Sequence, residues 1–228
     1  MGPITKICPT FNDQKRSTHM INNYETDKNG VIHQKNVDII TYDQKYITQN
    51  YCTYKEKCVN MGHLRLGYLV GVIGYVPTSI LDVGYGAGDF LSVCKNIIPN
   101  CYGFDITTLL PPEGVNVVDS IYDQYYEVVT FFDVLEHFEN IYDIQKLRCS
   151  YIGISLPWCH NTSDEWFESW KHRKPNEHLH HFNKESLKKF FSEIGYDCVG
   201  TSEIEDTIRK GSEPKNILSA VFKNIENI

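Results

Sequence analysis

The sequence predicts an α/β protein with a doubly wound, mostly parallel sheet of seven strands, preceded by an N-terminal extension with a hairpin and a helix. Short apolar runs alternate with helical patterns from residue 79 onward. A glycine-rich turn, residues 84–88, joins the first run to the first helical pattern. Such alternation favours parallel strands with helices on both faces, and ligands then bind beyond the carboxyl ends of the strands.

The individual elements follow from this alternation. The predicted strands cover residues 79–84, 101–105, 115–118, 127–132, 151–156, 196–200 and 217–222. Two helices are predicted over residues 89–98 and 141–147. A third begins after Asn183, a good N-cap residue, and ends at Gly195. Apolar residues recur at helical spacing from Leu187 to Ile194, which predicts one buried face.

The first 60 residues are polar and lack long apolar runs. Lys28-Asn29-Gly30 lies between two strand-like segments and predicts a hairpin, because Asn-Gly accepts the positive φ angles of a tight turn. A helical region is expected from about Asp43 to Val76. We therefore divide the chain into an N-terminal extension, residues 1–60, which caps a site or mediates a homodimer, and a main domain, residues 61–228.

Composition narrows the classes of function. The chain has 228 residues and a formal net charge of −7, which argues against a protein that mainly binds nucleic-acid phosphates. A domain of this size needs no disulfides, so the eight cysteines are interpreted as reduced thiols. The longest apolar stretch, near residues 64–76, is interrupted by Arg65 and three glycines and does not predict a membrane span. Because residues 1–10 also lack a signal-peptide pattern, we expect a cytoplasmic protein.

Three glycines, Gly84, Gly86 and Gly88, follow the first strand and open a helix. A dinucleotide fingerprint would need a further glycine where Asp89 stands, and a Walker A loop would need a Lys-Ser/Thr pair that is absent. The loop is therefore not expected to hold a pyrophosphate. Asp82, near the end of the strand, suits a ligand with a positively charged group.

Polar residues also end the next strands. Asp105 follows the second strand and can accept both hydroxyls of a ribose, while Asp119 and Ser120 follow the third and suit an adenine amino group. An adenosine with a cationic amino-acid tail fits this set, and S-adenosylmethionine is such a ligand. The predicted contacts are Asp82, Gly84, Tyr85, Gly86, Gly88, Asp105, Ile106, Asp119, Ser120, Phe132 and Asp133.

In this order the segments resemble class I S-adenosylmethionine-dependent methyltransferases over about residues 61–200. Residues 177–187 resemble the small-molecule branch, which includes ubiquinone-biosynthesis O-methyltransferases and sugar and secondary-metabolite methyltransferases. Residues 61–68 resemble the helix before strand one of the ubiquinone enzymes, where an arginine contacts the methionine carboxylate. The resemblance implies a Rossmann-like fold, S-adenosyl-L-methionine as cofactor and that contact for Arg65.

Methyl transfer to a hydroxyl requires an in-line attack on the sulfonium and removal of a proton, either by a base or with orientation supplying most of the rate. Histidine is the natural base at neutral pH, and His137, His160 and His181 are the candidates. His178, His180 and His181 suggest a metal cluster, but neighbouring side chains of an extended chain point to opposite sides, so no metal is predicted.

The expected acceptor is a small molecule, a sugar or an aromatic metabolite, because aromatic residues make up 13% of the chain and three tryptophans lie at residues 158–170. Two alternatives remain open. One is a nicotinamide-dependent oxidoreductase, against which Asp89 counts. The other is a non-catalytic subunit of the same fold that binds the cofactor and activates a partner.

Overall fold

The structure is a computed structural model that describes residues 23–38, 55–107, 109–209 and 215–225. Within these residues the strands are β1 (Tyr24–Thr26), β2 (Ile32–Gln34), β3 (Ser79–Val83), β4 (Asn100–Phe104), β5 (Asn116–Val117), β6 (Tyr125–Phe132), β7 (Arg148–Pro157), β8 (His180–His181), β9 (Tyr196–Ser202) and β10 (Ile217–Asn224). The helices are α1 (Lys55–Ile73), α2 (Asp89–Cys94), α3 (Asp164–Ser169), α4 (Lys184–Glu193) and α5 (Asp206–Arg209).

Seven strands form the main sheet in the order β5-β4-β3-β6-β7-β10-β9. The first five of that order run parallel, and β10 runs antiparallel to both of its neighbours. The chain reverses its direction of winding between β3 and β6, so the carboxyl ends of these two strands flank the switch point where such sheets bind ligands. The predicted Rossmann-like sheet and its seven strands are confirmed.

Both faces of the sheet are covered. Successive residues of β3 point to opposite sides, so Ile80 packs with α1 and α2 while Leu81 packs with α4. α1 and α2 contribute Leu69 and Phe90 to one face, and α4 contributes Phe190 to the other. This double burial explains why the central strands read as nearly continuous apolar runs.

A second, smaller sheet confirms the N-terminal hairpin. β1 and β2 pair antiparallel around the turn that contains Asn29 and Gly30, and Gly30 has a φ of 86°. β2 also pairs with β8 in the order β1-β2-β8, a contact that the sequence did not predict. The hairpin is thus attached to the segment that leads into α4.

Several predicted helices are shorter than expected. The helix predicted over residues 89–98 ends at Cys94, and the one predicted over 141–147 is a 3-10 helix, Ile141–Lys146. Of the helical region expected over 43–76, residues 43–54 lie outside the described residues, and α1 covers Lys55–Ile73. α1 therefore crosses the boundary expected at residue 60.

The thiol prediction holds for the part of the chain that the structure describes, where six cysteines are free, while Cys8 and Cys52 lie outside it. Among the described helices, none is both long and apolar enough to cross a membrane.

Candidate active site

The glycine loop lies between β3 and α2, at the carboxyl edge of the sheet. Gly84, Gly86 and Gly88 have φ angles of 72°, 53° and 75°, all in the left-handed region that side chains other than glycine rarely adopt. A Cβ at Gly84 would lie 2.5 Å from the Val134 side chain, and one at Gly88 would lie 2.5 Å from Pro112. The loop is therefore compact, and its second half is held close to the segment after β4.

Asp105 fixes this loop from the next strand. One carboxylate oxygen accepts a hydrogen bond from the Gly86 backbone N–H at 2.7 Å, and the other accepts one from the Thr107 N–H at 2.7 Å. A carboxylate has about four acceptor positions, so capacity remains for ribose hydroxyls. Asp105 is half-buried, so part of its carboxylate is open to solvent.

Asp82 lies beneath the loop rather than on its surface. Its side chain is 4% exposed and accepts a hydrogen bond from the Thr130 hydroxyl at 2.7 Å. Burial raises the pKa of Asp82 to about 7, and the Thr130 hydrogen bond and the Arg65 charge offset part of that rise. The Asp82 carboxylate thus joins β3 to β6 through Thr130 and has almost no surface for direct contact with a ligand.

The other predicted cofactor residues line the same edge. Ile106 is 71% exposed beside Asp105, and Asp119 is exposed just after β5, while Ser120 accepts a hydrogen bond from the Tyr122 N–H. Tyr85 is nearly buried and donates its hydroxyl proton to the Leu109 carbonyl at 2.6 Å. An exposed apolar side chain, a half-buried carboxylate and an exposed carboxylate on one edge provide the groups that a nucleoside needs, so the chemistry of the edge fits the predicted cofactor.

Phe132 and Asp133 end β6 beside two arginines. The Arg65 guanidinium lies 4.3 Å from the centre of the Phe132 ring. Arg65 donates to Asp133, to Ser155 and, through two nitrogens, to Glu205 at 2.7 and 3.0 Å. Among the described residues, Nε and Nη2 of Arg65 make all of these bonds.

Arg209 completes a charge cluster of Arg65, Asp133, Glu205 and Arg209, in which Glu205 is buried, Arg65 and Asp133 are partly buried and Arg209 is exposed. It pairs with both Asp133 and Glu205, and Asp133 holds a φ of 58° that is rare outside glycine. Burial by itself would raise the pKa of Asp133, but the guanidiniums of Arg209 and Arg65 hold it well below its usual range. Two positive and two negative charges balance, so the cluster is neutral as a whole.

Of the three candidate bases, His137 lies in a 3-10 turn directly after β6, close to Asp133. Its ring contacts the edge of the His178 ring at 4.7 Å, and its Nε2 lies 4.0 Å from a carboxylate oxygen of Glu136. Burial lowers the pKa of His137, although Glu177 acts in the opposite direction. The ring is therefore neutral at pH 7 and able to accept a proton.

The other two candidates lie farther along the chain. His181 is 3% exposed among the rings of Tyr24, Phe167 and Trp170, and burial lowers its pKa well below the usual value. The Nε2 of His160 lies 2.7 Å from the Lys215 carbonyl and is held as a donor to it. These surroundings favour structural roles for both rings.

Sequence reasoning missed Glu136, Glu205 and Arg209. The i,i+4 spacing of Glu205 and Arg209 is a helical signal for their own ion pair. Nothing in the sequence indicates that this pair meets Arg65 from α1 or that Glu136 is buried beside His178, because both contacts join distant parts of the chain.

The comparison with protein families agrees with this geometry. A family model described as a methyltransferase domain matches residues 68–201, and the chain belongs to that family. It is a class I S-adenosylmethionine-dependent methyltransferase. The structure contains the mostly parallel sheet, the glycine loop and the acidic residue after the second strand of the sheet, Asp105, on which the resemblance rests. S-adenosylmethionine is its cofactor. The nicotinamide alternative is not supported.

Solved structures show the same fold at low sequence identity. The plantazolicin methyltransferase BpumL, in complex with a monoazolic desmethylPZN analog and SAH, has a TM-score of 0.54 and 16% identity, with 80% of this chain and 90% of that chain covered. Magnesium protoporphyrin IX methyltransferase (ChlM) from Synechocystis PCC 6803 with bound SAH has a TM-score of 0.52 and 15% identity, covering 79% and 92%. No curated protein matches the sequence.

Proposed function

We propose that the protein transfers a methyl group from S-adenosylmethionine to a hydroxyl of a small molecule that carries a sugar or an aromatic ring. The observation that carries the proposal is a row of aromatic rings after β7. The rings of Trp158 and His160 stack at 4.8 Å, and those of Trp166 and Trp170 stack at 5.2 Å. All four side chains are partly exposed. Aromatic faces of this kind bind sugar and aromatic rings.

This row of four rings, the aromatic wall, starts where β7 ends, on the same sheet edge as the glycine loop. His160 joins its two halves, with its ring 6.0 Å from that of Trp166. The described part of the N-terminal extension packs against the helix that carries Trp166. Tyr24 of β1 contacts the next residue, Phe167, edge-on at 5.1 Å. We infer that the extension shapes the acceptor pocket, as the capping role for residues 1–60 requires.

In the proposed reaction the acceptor oxygen attacks the methyl carbon as the carbon–sulfur bond breaks, and sulfur keeps the bonding electrons. Asp105 and the glycine loop hold the nucleoside, while the guanidinium of Arg65 orients the amino-acid end. His137 is the histidine placed to take the hydroxyl proton, because it follows β6 at the switch point and is neutral at pH 7. Orientation of the two reactants supplies much of the rate.

Cofactor binding is tested by titrating the protein calorimetrically with S-adenosylhomocysteine. Asp105→Asn keeps the shape but removes the charge that favours ribose hydroxyls, and hydrogen bonds to charged groups contribute about 1.5–3 kcal/mol each. We expect affinity to fall by roughly 10–150-fold. Asp123→Asn, an exposed acid outside the site, should bind like the wild type. Equal affinity in both variants would contradict the role of Asp105.

The acceptor class is tested by offering the protein S-adenosylmethionine with a labelled methyl group and panels of glycosides, phenols, carboxylic acids and amines. A labelled ether that survives mild alkali is the expected product. Labelled esters or methylamines would overturn the hydroxyl assignment. Replacing Trp158 by Ala should then raise KM for the acceptor more than it lowers kcat, since stacking contributes to substrate binding before transfer.

A further inference from the structure

Three side chains with metal-binding atoms meet at the carboxyl edge of the sheet. Glu136 and His137 lie in the turn after β6, and His178 comes from the segment before β8. One ligand atom from each lies within 4.8 Å of those of the other two. Two imidazoles and one carboxylate form a donor set that Zn²⁺ and other divalent first-row ions bind in proteins.

Glu136 needs a positively charged partner. Its side chain is 2% exposed, and among the described residues neither carboxylate oxygen has a hydrogen-bond partner. The nearby cations are engaged elsewhere, because Lys174 pairs with Glu177 at 2.8 Å and Arg209 pairs with Asp133 and Glu205. An uncompensated buried carboxylate costs several kcal/mol, so either a proton or a bound cation must neutralise it.

The tautomer of His178 favours the cation. Its Nδ1 lies 2.8 Å from the His172 carbonyl, which cannot donate, so Nδ1 carries the hydrogen. The lone pair is then on Nε2, the atom on the far side of the ring. A backbone carbonyl that fixes a histidine in this way is the usual outer contact of a metal-binding imidazole.

We propose that Glu136, His137 and His178 bind a divalent transition-metal ion such as Zn²⁺. The ligand atoms lie within 4.8 Å of one another. Bonds of about 2.0–2.2 Å place tetrahedral zinc ligands about 3.4 Å apart, so side-chain rotations that close a gap of at most about 1.4 Å complete the site. Three protein ligands leave at least one position open. An acceptor hydroxyl bound in that position would lose its proton more readily, and the proton would pass to solvent water, because His137 is then a ligand and acts as the base only when the ion is absent. This last step rests on the proposed function.

The test uses tag-free full-length protein that has been treated with a chelator and then titrated with Zn²⁺ by calorimetry. Co²⁺ absorption provides an independent signature of imidazole ligation. Glu136→Gln retains the shape of the side chain and removes its charge, and His178→Ala removes a second ligand. The matched controls are Glu139→Gln and His63→Ala, since both residues are exposed and outside the trio. Each variant is also titrated with S-adenosylhomocysteine, which reports both folding and cofactor binding.

We expect one Zn²⁺ per chain. The affinity for Zn²⁺ should fall by more than about 100-fold in Glu136→Gln and His178→Ala, because even substitution of residues that only hydrogen-bond to metal ligands lowers metal affinity by about 10–100-fold. The two controls should bind like the wild type. The proposal is overturned if the wild type takes up no Zn²⁺, if the ligand variants keep it, or if a control loses it. S-adenosylhomocysteine binding without Zn²⁺ binding would reject the metal site alone, whereas loss of S-adenosylhomocysteine binding in the wild type would reject the proposed function.

Discussion

Single residues in the glycine loop are fixed by space as well as by backbone angle. Gly88 combines a φ of 75° with a position where a Cβ would lie 2.5 Å from Pro112. The ring of Pro112 cannot rotate away as a long side chain can, so the contact is hard to relieve. Gly67 and Gly71, in contrast, lie on α1 with no atom within 4 Å of an added Cβ. The same residue type is thus required at one site and merely tolerated at the others.

Gly88→Ala should therefore lower the free energy of unfolding by about 2–4 kcal/mol, the sum of a left-handed alanine and an overpacked contact. It should also weaken S-adenosylhomocysteine binding, because the loop is displaced. The control Gly71→Ala should leave stability unchanged or raise it by up to about 1 kcal/mol. Urea unfolding measures both. Similar stabilities for the two variants would show that the loop accommodates an alanine at little cost and would contradict the prediction.

Asp82 makes stability depend on pH. Burial raises its pKa from 3.8 to about 7, so the folded chain holds the proton more tightly than the unfolded chain does. The resulting stabilisation is complete below the unfolded pKa and is lost as the pH rises from about 4 to about 7. At about 1.4 kcal/mol per unit, the loss amounts to at most about 4 kcal/mol.

Asp82→Asn removes this titration and keeps the acceptor for Thr130. Relative to the wild type, the variant should gain stability steadily between pH 4 and pH 7, and the difference should level off above pH 7. Urea unfolding of both proteins at several pH values measures that difference directly, since the other carboxyl groups are common to both. A difference that does not change with pH would contradict the assignment.

At the scale of elements, α4 begins with a complete capping box. The Asn183 side chain accepts from the Ser186 N–H, and the Ser186 hydroxyl accepts from the Asn183 N–H. The apolar face of the helix packs Leu187, Phe190 and Phe191 into the main core. The cap therefore sets where the helix begins and holds β8, with its pairing to the hairpin, at a fixed distance from the sheet.

Asn183→Ala should lower the free energy of unfolding by about 1 kcal/mol, because one backbone N–H loses its partner. Lys189→Ala, on the exposed face of the same helix, should change it by less than about 0.5 kcal/mol. Thermal or urea unfolding measures both variants. A cost for Lys189→Ala equal to that for Asn183→Ala would point to a general loss of helix stability rather than to the cap.

At the scale of the whole molecule, the charge cluster joins three distant parts of the chain. Arg65 comes from α1, Asp133 from the end of β6, and Glu205 and Arg209 from the end of the chain around α5. Glu205 is 1% exposed and Arg65 is 14% exposed, so solvent screens their attraction only weakly. Each of the four charges is stable in this position because the opposite charges neutralise it.

Glu205→Gln should lower the free energy of unfolding by about 3 kcal/mol, since a mostly buried Arg65 loses its main partner. Glu203→Gln, an exposed neighbour, should have almost no effect. Replacing the pair together, Arg65→Met with Glu205→Leu, should recover most of the loss, because apolar residues can fill the same space. Urea unfolding of the four proteins tests this. A double variant less stable than Glu205→Gln would show that the two residues act separately.

The sequence by itself determined the order of the elements and the cofactor edge. Short apolar runs located all seven strands of the main sheet, and the glycine loop with Asp105 predicted a nucleoside site at their carboxyl edge. These signals are local, because each depends on residues within a few positions of one another. The end of the helix predicted over residues 89–98 was less well placed, since it stops at Cys94, and packing rather than propensity decides where a short helix ends.

Only the tertiary structure decided which distant residues share a site. The order of the strands brings Asp133 to Arg65 and Glu205, pairs β2 with β8, and sets Glu136 against His178. None of these contacts has a sequence spacing that could predict it. The reason is that burial and charge pairing depend on which residues the folded chain brings together. Residues far apart in the sequence leave no local pattern of such contacts.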